Sequence, residues 1–198
     1  CTNLQSYPPT PLIQHPNPAP PTAPPPPPRP PPTPSRPKVD KKINIAQFNC
    51  NGIKGKIDEI LVWMAKNDVK IIALQETKLT KCSKLNVPNY TVVRKDRGKD
   101  KGGGLALLVH ESILFQNEPD PPEDDHIEYQ AIKVSDTTIV NMYIPPSSSC
   151  KTGYDPSLTN YLTGDDKLIL GDFNAHNALW FSSISDTRGS KFSDEIGN

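Results

Sequence analysis

The sequence predicts a mixed fold of the α/β or α+β class that occupies residues 41–198 of a 198-residue chain. Two observations support this prediction. Short apolar segments recur from Ile43 to Phe192 and alternate with helical and turn signals, as in domains that combine strands with helices. Prolines are distributed unevenly, since 17 of the 24 lie in the first 40 residues, which hold few large apolar side chains. We therefore expect residues 1–40 to be a disordered, proline-rich leader, because little apolar burial is available there to offset the entropy of ordering.

The predicted strands and helices follow one another along residues 41–198. Apolar residues spaced three and four positions apart predict an amphipathic helix between Gly55 and Asn67. A short helix is predicted at Tyr154 to Leu162, and another begins at Arg188 and reaches Ile196. Apolar runs predict seven strands, at Ile43 to Phe48, Val69 to Leu74, Tyr90 to Val93, Leu105 to Val109, Ile127 to Val134, Thr138 to Ile144 and Lys167 to Leu170.

Net charge gives little indication of a binding partner. The chain carries 22 basic and 22 acidic side chains, whereas nucleic-acid-binding proteins usually have a basic excess. Basic residues do crowd one loop, and two of them, Arg94 and Arg97, are candidates for contacts with a nucleic acid. A solvated loop without a partner is the more common explanation of such a cluster.

Cysteine spacing and hydropathy argue against zinc knuckles and membrane proteins. The four cysteines, Cys1, Cys50, Cys82 and Cys150, form no Cys-x-x-Cys pair and predict free thiols in a reducing, intracellular compartment. The sequence has no signal peptide and no apolar run of about 18 residues, so we expect neither secretion nor membrane insertion. A chain that begins at Cys1 and not at a methionine has the appearance of a fragment.

The proline-rich leader supports two interpretations. Residues 8–37 have the composition of a polyproline II segment, centred on Pro24 to Pro32 with Arg29 inside the run. Such a segment can bind SH3 or WW domains. It can also serve as a semi-rigid spacer, which we favour.

Four apolar segments end at a polar residue that a strand end does not require. These residues are Asn49, Glu76, Tyr143 and Asp172. Side chains alternate along a strand, so Leu168, Leu170 and Asp172 should share one face, and Ile139, Asn141 and Tyr143 another. We therefore expect the polar ends to converge on one rim above an apolar core.

Glu76 and Asp172 predict a site for a hard divalent cation. Two carboxylates with amide oxygens, and without a nearby soft ligand, suit Mg²⁺, which keeps several waters and takes few protein carboxylates. A cation there would polarise a phosphoryl oxygen and neutralise charge on the leaving oxygen, the main requirement of phosphodiester hydrolysis. Mn²⁺ is the alternative cation.

Five short motifs occur in a fixed order along the chain. They are QFNCNG (Gln47–Gly52), LQETKL (Leu74–Leu79), GGGLALLV (Gly102–Val109), NMYIPP (Asn141–Pro146) and GDFNAHNALW (Gly171–Trp180). In this order they resemble the endonuclease of non-LTR retrotransposons, which belongs to the endonuclease/exonuclease/phosphatase superfamily with apurinic-site endonucleases and pancreatic-type deoxyribonuclease. Trp180, Asp186, Arg188 and Gly189 are similar to the retrotransposon enzymes rather than to repair enzymes. The resemblance implies a four-layer α/β/β/α sandwich, present here only in part.

The resemblance also implies a role for each motif residue. Asn49 would lie beside the metal and the scissile phosphate, and Glu76 would be the principal metal ligand. Tyr143 would bring its hydroxyl to the phosphate. Asp172 would orient or activate the attacking water, and Asn174 would position that water and the transition state.

Each of these roles has a structural alternative. Asn49 and Asn174 are of a residue type that caps turns, and Tyr143 can be a core residue at the rim with a locally satisfied hydroxyl. Glu76 and Asp172 are harder to explain structurally, because a buried carboxylate without a partner or metal is costly. His176 is of the residue type most often used as a general base, but in the family the base lies elsewhere. We therefore expect His176 to support a turn or to contact DNA.

The resemblance breaks off near the end of the chain. A late Asp and a Ser-Asp-His triplet complete the site in the family, and neither occurs before the chain ends at Asn198. We therefore expect residues 41–198 to be an incomplete domain whose C-terminal part is missing. On its own this polypeptide should be inactive or weakly active, and prone to aggregation through open strand edges.

The function that the sequence favours is Mg²⁺-dependent cleavage of DNA by the endonuclease domain of a retrotransposon-type protein, located in the nucleus. A repair endonuclease for apurinic sites, or another phosphodiesterase of the superfamily, is the second interpretation. The third is a non-catalytic protein that recruits partners through its proline-rich leader, or a decayed fragment.

Overall fold

The computed structural model describes residues 42–97, 102–121, 124–164 and 166–197. The predicted leader lies outside the described residues, and so does the segment within it that could bind SH3 or WW domains. The described strands are β1 (Asn44–Asn49), β2 (Val69–Gln75), β3 (Tyr90–Lys95), β4 (Leu105–His110), β5 (Gln116–Asn117), β6 (Glu128–Val134), β7 (Thr137–Tyr143) and β8 (Lys167–Asp172). The described α-helices are α1 (Ile57–Lys66), α2 (Thr159–Leu162) and α3 (Thr187–Gly197). None of these helices is long and apolar enough to cross a membrane.

The strands form two four-stranded sheets, each with one parallel pair. The first sheet has the order β1-β2-β4-β3, and the second has the order β5-β6-β7-β8. Strands β1 and β2 are parallel and place Asn49 opposite Gln75. Strands β7 and β8 are also parallel and place Tyr143 opposite Asp172. Because parallel strands end at the same edge of a sheet, each pair delivers its terminal side chains together.

Three apolar clusters separate the layers. One lies between the first sheet and α1, where Ile60 and Met64 are buried. A second lies between the two sheets, where Ile71 and Leu107 of the first sheet meet Ile139 of the second. The third lies between the second sheet and the α2 and α3 helices and includes Phe192. The layers are therefore helix, sheet, sheet and helix, which confirms the predicted fold class.

The predicted elements are found with small shifts of their ends, with one correction. The helix predicted at Tyr154 to Leu162 is wrong over its first half, since only Thr159–Leu162 is helical. Pro156 explains this, because the residue before a proline is disfavoured in the helical region. Strand β5 and two short 3₁₀ turns, Ser147–Ser149 and Ala178–Trp180, were not predicted from the sequence. Among the described cysteines, Cys50, Cys82 and Cys150 are free thiols, as predicted.

Candidate active site

Two strand ends from each sheet meet at one rim of the sandwich. The Nδ2 atom of Asn49 donates to Glu76 Oε1 at 3.0 Å and to Asp172 Oδ2 at 2.7 Å. The hydroxyl of Tyr143 donates to the same Glu76 oxygen at 3.0 Å. The two carboxylates are therefore neighbours around a single amide nitrogen, although 96 positions (172 − 76) separate them in the sequence.

Glu76 holds an unusual backbone conformation at this rim. Its φ of 51° lies in the left-handed region, which costs roughly 1 kcal/mol or more for a residue other than glycine. A hydrogen bond of 2.7 Å from the backbone N–H of Gly52 to the Glu76 carbonyl holds the conformation. The strained turn points the carboxylate at the rim, where 21% of the side chain remains exposed.

The surroundings of Glu76 favour its ionised form. Partial burial opposes ionisation, but hydrogen bonds from Asn49 and Tyr143 and the charge of Lys78 outweigh it, so the pKa of Glu76 is lowered. The ammonium of Lys78 lies 3.5 Å from Glu76 Oε2. Glu76 therefore offers a negative charge at the rim at neutral pH.

Tyr143 remains a hydrogen-bond donor. Burial, together with the negative charge and hydrogen bond of Glu76, raises the pKa of Tyr143 far above its ordinary value. The guanidinium of Arg97 lies over the ring, 5.7 Å from its centroid. A hydroxyl held in this way keeps its proton and can donate it in a hydrogen bond to an anion.

Asp172 and Asn174 form a tight turn directly after β8. The backbone N–H of Asn174 donates to Asp172 Oδ1 at 3.1 Å, and the φ of Asn174 is 46°. The Asn174 Nδ2 donates to the carbonyl of Ile144 at 3.0 Å. Asparagine tolerates this left-handed conformation better than most residues. The turn directs the Asn174 side chain at the loop that follows β7, while Asp172 Oδ2 faces Asn49.

Asn49 also has a role in a turn. Its Oδ1 accepts the backbone N–H of Asn51 at 3.0 Å, which directs its nitrogen toward the two carboxylates. In this arrangement Asn49 holds the carboxylates together. Ligation of a metal by Asn49 stays a prediction. It would use the Asn49 Oδ1 atom, which already accepts the backbone N–H of Asn51.

A chain of amide side chains, of which Gln75 and Asn141 are buried, supports the rim from below. Gln47 donates to Gln75, and Gln75 Nε2 donates to Asn141 Oδ1 at 2.7 Å. Asn141 Nδ2 in turn donates to the carbonyls of Leu74 and Ala106, each at 3.1 Å. The chain crosses from the first sheet to the second. The sequence signal for it is a polar residue inside an otherwise apolar strand, as at Asn141.

Glu128, which sequence reasoning missed, lies beside the site. It starts β6 directly opposite Tyr143, pairs with Arg97, and accepts the backbone N–H of Gly104 at 2.6 Å. Burial raises the pKa of Glu128 despite the charge of Arg97. Arg97 thus connects Glu128 to the ring of Tyr143.

The residues predicted to contact nucleic acid lie in three different settings. Arg94 is committed to internal contacts, with Asp96 at 2.7 Å and with the carbonyls of Ser83 and Thr80. Arg97 lies at the site itself. His176 is half exposed, and its Nδ1 lies 2.8 Å from Asp186 Oδ2. Contact of these residues with DNA stays a prediction.

A polar cleft opens on the Glu76 side of the rim. Its volume is about 650 Å³, and its lining includes Glu76, Tyr143 and three cations, Lys78, Arg97 and Lys151. A second cleft of about 590 Å³ adjoins Asp172, Asn174 and His176 on the other side and is more apolar. The rim therefore separates a more apolar cleft from a polar cleft of mixed charge, in which the three cations face four carboxylates, Glu76, Asp124, Asp125 and Glu128.

The rim residues fit a hard cation that keeps much of its water. Among the described residues no cluster of three or more His, Cys, Asp or Glu side chains is suited to hold a metal. Two carboxylates do converge, and the donors at hand are oxygens. This set suits Mg²⁺, which usually takes one or two protein carboxylates and completes its shell with water and substrate oxygens.

Comparison with known proteins gives a consistent result. The sequence model described as the Endonuclease/Exonuclease/phosphatase family matches residues 46–193. A probable RNA-directed DNA polymerase from transposon BS of Drosophila melanogaster is 22% identical over 161 residues, which cover 78% of this chain. The chain spans only 18% of the length of that relative.

Solved structures show the same fold at low identity. The endonuclease domain of TRAS1, a telomere-specific non-LTR retrotransposon, superposes with a TM-score of 0.58 at 18% identity, over 79% of this chain and 70% of that one. An AP endonuclease from Archaeoglobus fulgidus superposes with a TM-score of 0.52 at 16% identity, over 79% and 70% of the two chains. At such identities the likeness establishes the fold.

Proposed function

The chain belongs to the Endonuclease/Exonuclease/phosphatase family, and from that premise we propose that residues 41–198 form a Mg²⁺-dependent DNA endonuclease domain of a retrotransposon-type protein. One observation carries the proposal. Two carboxylates from different sheets, Glu76 and Asp172, share one amide donor at 3.0 and 2.7 Å. Two carboxylates that share one neutral donor repel each other when ionised, and a cation beside them would relieve that repulsion.

Glu76 and Asp172 would hold the cation, with Asn49 either as a third oxygen donor or as the residue that fixes the two carboxylates. A bound Mg²⁺ supplies charge neutralisation at the phosphoryl and leaving oxygens. Glu76 is ready for this role because its lowered pKa keeps it ionised at neutral pH.

Tyr143 would act on the substrate, and Asp172 would have a second role toward the attacking water. Tyr143 would donate its hydroxyl proton in a hydrogen bond to a non-bridging phosphate oxygen, since its raised pKa keeps the hydroxyl protonated. Asp172 would accept a hydrogen bond from the attacking water and orient it. Asn174 holds Asp172 in place through its backbone N–H at 3.1 Å. Hydrolysis then exchanges the P–O bond to the leaving oxygen for one to the water oxygen.

The polar cleft beside Glu76 provides a reason to propose DNA as the substrate. Lys78, Arg97 and Lys151 line it together with four carboxylates. These three basic side chains are the groups that would contact a phosphate backbone, and such contacts dominate the affinity of proteins for it. A duplex laid across the rim would place its backbone over this cleft. Retrotransposon-type endonuclease activity is our extension from the relatives named above.

We expect slow turnover by the 198-residue polypeptide. In the described part of the chain no histidine is hydrogen-bonded to Glu76, Tyr143 or Asp172, and His176 pairs instead with Asp186. A positioned general acid or base typically contributes about 10²–10⁴-fold to the rate. Without a histidine in that role at the rim, the polypeptide should cleave DNA at a measurable but low rate.

A plasmid-nicking assay tests the proposal. Supercoiled plasmid incubated with an excess of the polypeptide should relax slowly in Mg²⁺, and EDTA or the Glu76→Ala variant should stop the reaction. Glu111→Ala is the matched control, because Glu111 is an exposed carboxylate away from the rim. Relaxation that persists in Glu76→Ala or in EDTA would contradict the proposal. A faster rate on a duplex with one abasic site would favour a repair endonuclease.

A further inference from the structure

The start of α3 is tied to the two loops that carry one half of the rim. These are the loop after β7, which follows Tyr143, and the loop after β8, which contains Asn174. The connection is made by three residues in the segment that begins the helix, Asp186, Arg188 and Gly189.

Arg188 makes the central contacts. Its Nη1 lies 2.8 Å from the carbonyl of Pro145, 3.1 Å from that of Phe173 and 3.4 Å from that of Asn174. Its Nη2 lies 3.8 Å from the sulfur of Cys150. The first and last of these partners belong to the loop after β7, and the other two belong to the loop after β8. One guanidinium therefore spans both loops.

Burial makes these contacts energetically important. Arg188 is only 7% exposed, and a buried charge is costly unless its hydrogen bonds are satisfied. Loss of the guanidinium would leave the carbonyls of Pro145, Phe173 and Asn174 without this donor. The planar fork of arginine also reaches several acceptors at once, which the single ammonium of lysine does not.

Asp186 and Gly189 press the loop after β8 against the helix. Asp186 donates its backbone N–H to the carbonyl of His176 at 2.9 Å and accepts the N–H of Gly189 at 2.6 Å, which caps the helix. A Cβ atom on Gly189 would lie 1.9 Å from the carbonyl oxygen of His176. Only glycine permits this approach, so the loop is fixed on a second side.

We propose that Arg188 is a positioning residue for the reaction proposed above, holding the loops after β7 and β8 at the separation that brings Tyr143, Asp172 and Asn174 together at the rim. Arg188 touches neither the carboxylates nor the Tyr143 hydroxyl. It acts through the backbone of Pro145, Phe173 and Asn174. The inference rests on the proposed function.

Three variants of the full chain test this inference, each assayed below its own unfolding temperature. Arg188→Met removes the guanidinium and its hydrogen-bond donors. Arg188→Lys keeps the positive charge without the planar guanidinium, and Lys191→Met removes a cation from the same helix. Lys191 is a matched control because its ammonium pairs with the Asp155 side chain at 2.6 Å and not with the carbonyls of Pro145, Phe173 and Asn174. The readouts are Mn²⁺ affinity by titration calorimetry, which needs no turnover, and kcat and KM for plasmid nicking.

Arg188→Met should weaken Mn²⁺ binding about tenfold, since residues that orient metal ligands typically change affinity by about 10–100-fold. Its kcat should fall about tenfold or more at a nearly unchanged KM, because displaced groups, not lost DNA contacts, cause the defect. Arg188→Lys should lie between Arg188→Met and the unsubstituted chain. Lys191→Met should match the unsubstituted chain in all three quantities.

Two different failures can be told apart. If Glu76→Ala abolishes Mn²⁺ binding and nicking while Arg188→Met behaves like Lys191→Met, the positioning role of Arg188 is wrong and the proposed function stands. If the unsubstituted chain shows no Glu76-dependent Mn²⁺ binding, the proposed function itself is wrong. A loss of thermal stability in Arg188→Met with unchanged Mn²⁺ affinity and kcat would assign Arg188 a purely structural role.

Discussion

The two halves of the rim are held in place by different means. In the first sheet, the loops that carry Asn49 and Glu76 continue the backbone hydrogen bonds of the strands. The N–H of Cys50 donates to Gln75 at 3.0 Å, that of Gly52 to Glu76 at 2.7 Å, and that of Thr77 to Gly104 at 3.0 Å. This half of the site is therefore supported by its own sheet.

The second half depends on residues that follow it in the sequence. One backbone hydrogen bond, from Ile144 to the Asp172 carbonyl at 2.9 Å, extends the β7–β8 pair. Beyond it, support comes from the Asn174 side chain and from the segment that begins α3. The difference indicates that substitutions far from the rim should disturb Tyr143 and Asp172 more than Glu76.

The largest expected effect comes from a substitution in the segment that supports the second half of the rim. Gly189→Ala should destabilise the fold by about 3 kcal/mol, the upper part of the usual range for single substitutions. The reason is the clash of its Cβ with the His176 carbonyl, 1.9 Å away. Gly197→Ala is the control, because nothing lies within 4 Å of its Cβ. Urea unfolding measures both, and equal stability of the two variants would contradict the tight approach.

A smaller effect should come from the amides that join the two halves. Asn141→Leu keeps the approximate volume of a side chain that is 0% exposed but removes the partners of Gln75, Leu74 and Ala106. The loss should cost about 2 kcal/mol, since buried polar groups would be left unpaired. Val140→Ile on the opposite face of β7 is the control for changes in β7 packing. An Asn141→Leu variant as stable as the unsubstituted chain would show that the amides do not hold the sheets together.

The smallest expected effect is on the pH dependence of folding stability in metal-free buffer, where two carboxylates, Glu76 and Glu128, should contribute in opposite directions. The pKa of Glu76 is lowered on folding, so its stabilising contribution is present above the ordinary pKa of glutamate and is lost as pH falls through the lowered one. The pKa of Glu128 is raised by burial, so its protonation favours the folded state and stability rises as pH falls.

Single variants separate these two contributions. From about pH 6 to about pH 3, the stability advantage of the unsubstituted chain over Glu76→Gln should shrink, whereas its advantage over Glu128→Gln should grow. Equilibrium unfolding in urea at several pH values measures both. Changes of the same sign in the two comparisons would show that the environments of the two carboxylates are not opposite.

The sequence predicts the residues of the rim better than it predicts the residues that hold the rim in place. Asn49, Glu76, Tyr143 and Asp172 stand out because each is polar at the end of an apolar run, and parallel pairing then brings strand ends together. The partners of Arg188 are backbone carbonyls, which every residue carries, so no pattern of side chains indicates which ones it binds. Glu128 was missed for a related reason, because it starts a strand where a solvated acidic residue is equally common.

The central claim is that Glu76 and Asp172 hold one divalent cation at the rim. Crystals soaked in Mn²⁺, with diffraction data collected at the manganese edge, test it most directly. We expect one strong anomalous peak within about 2.5 Å of a Glu76 carboxylate oxygen, adjacent to Asp172, and its loss in Glu76→Gln crystals. A well-diffracting crystal with no peak at the rim, or with its only peak elsewhere, would contradict the claim.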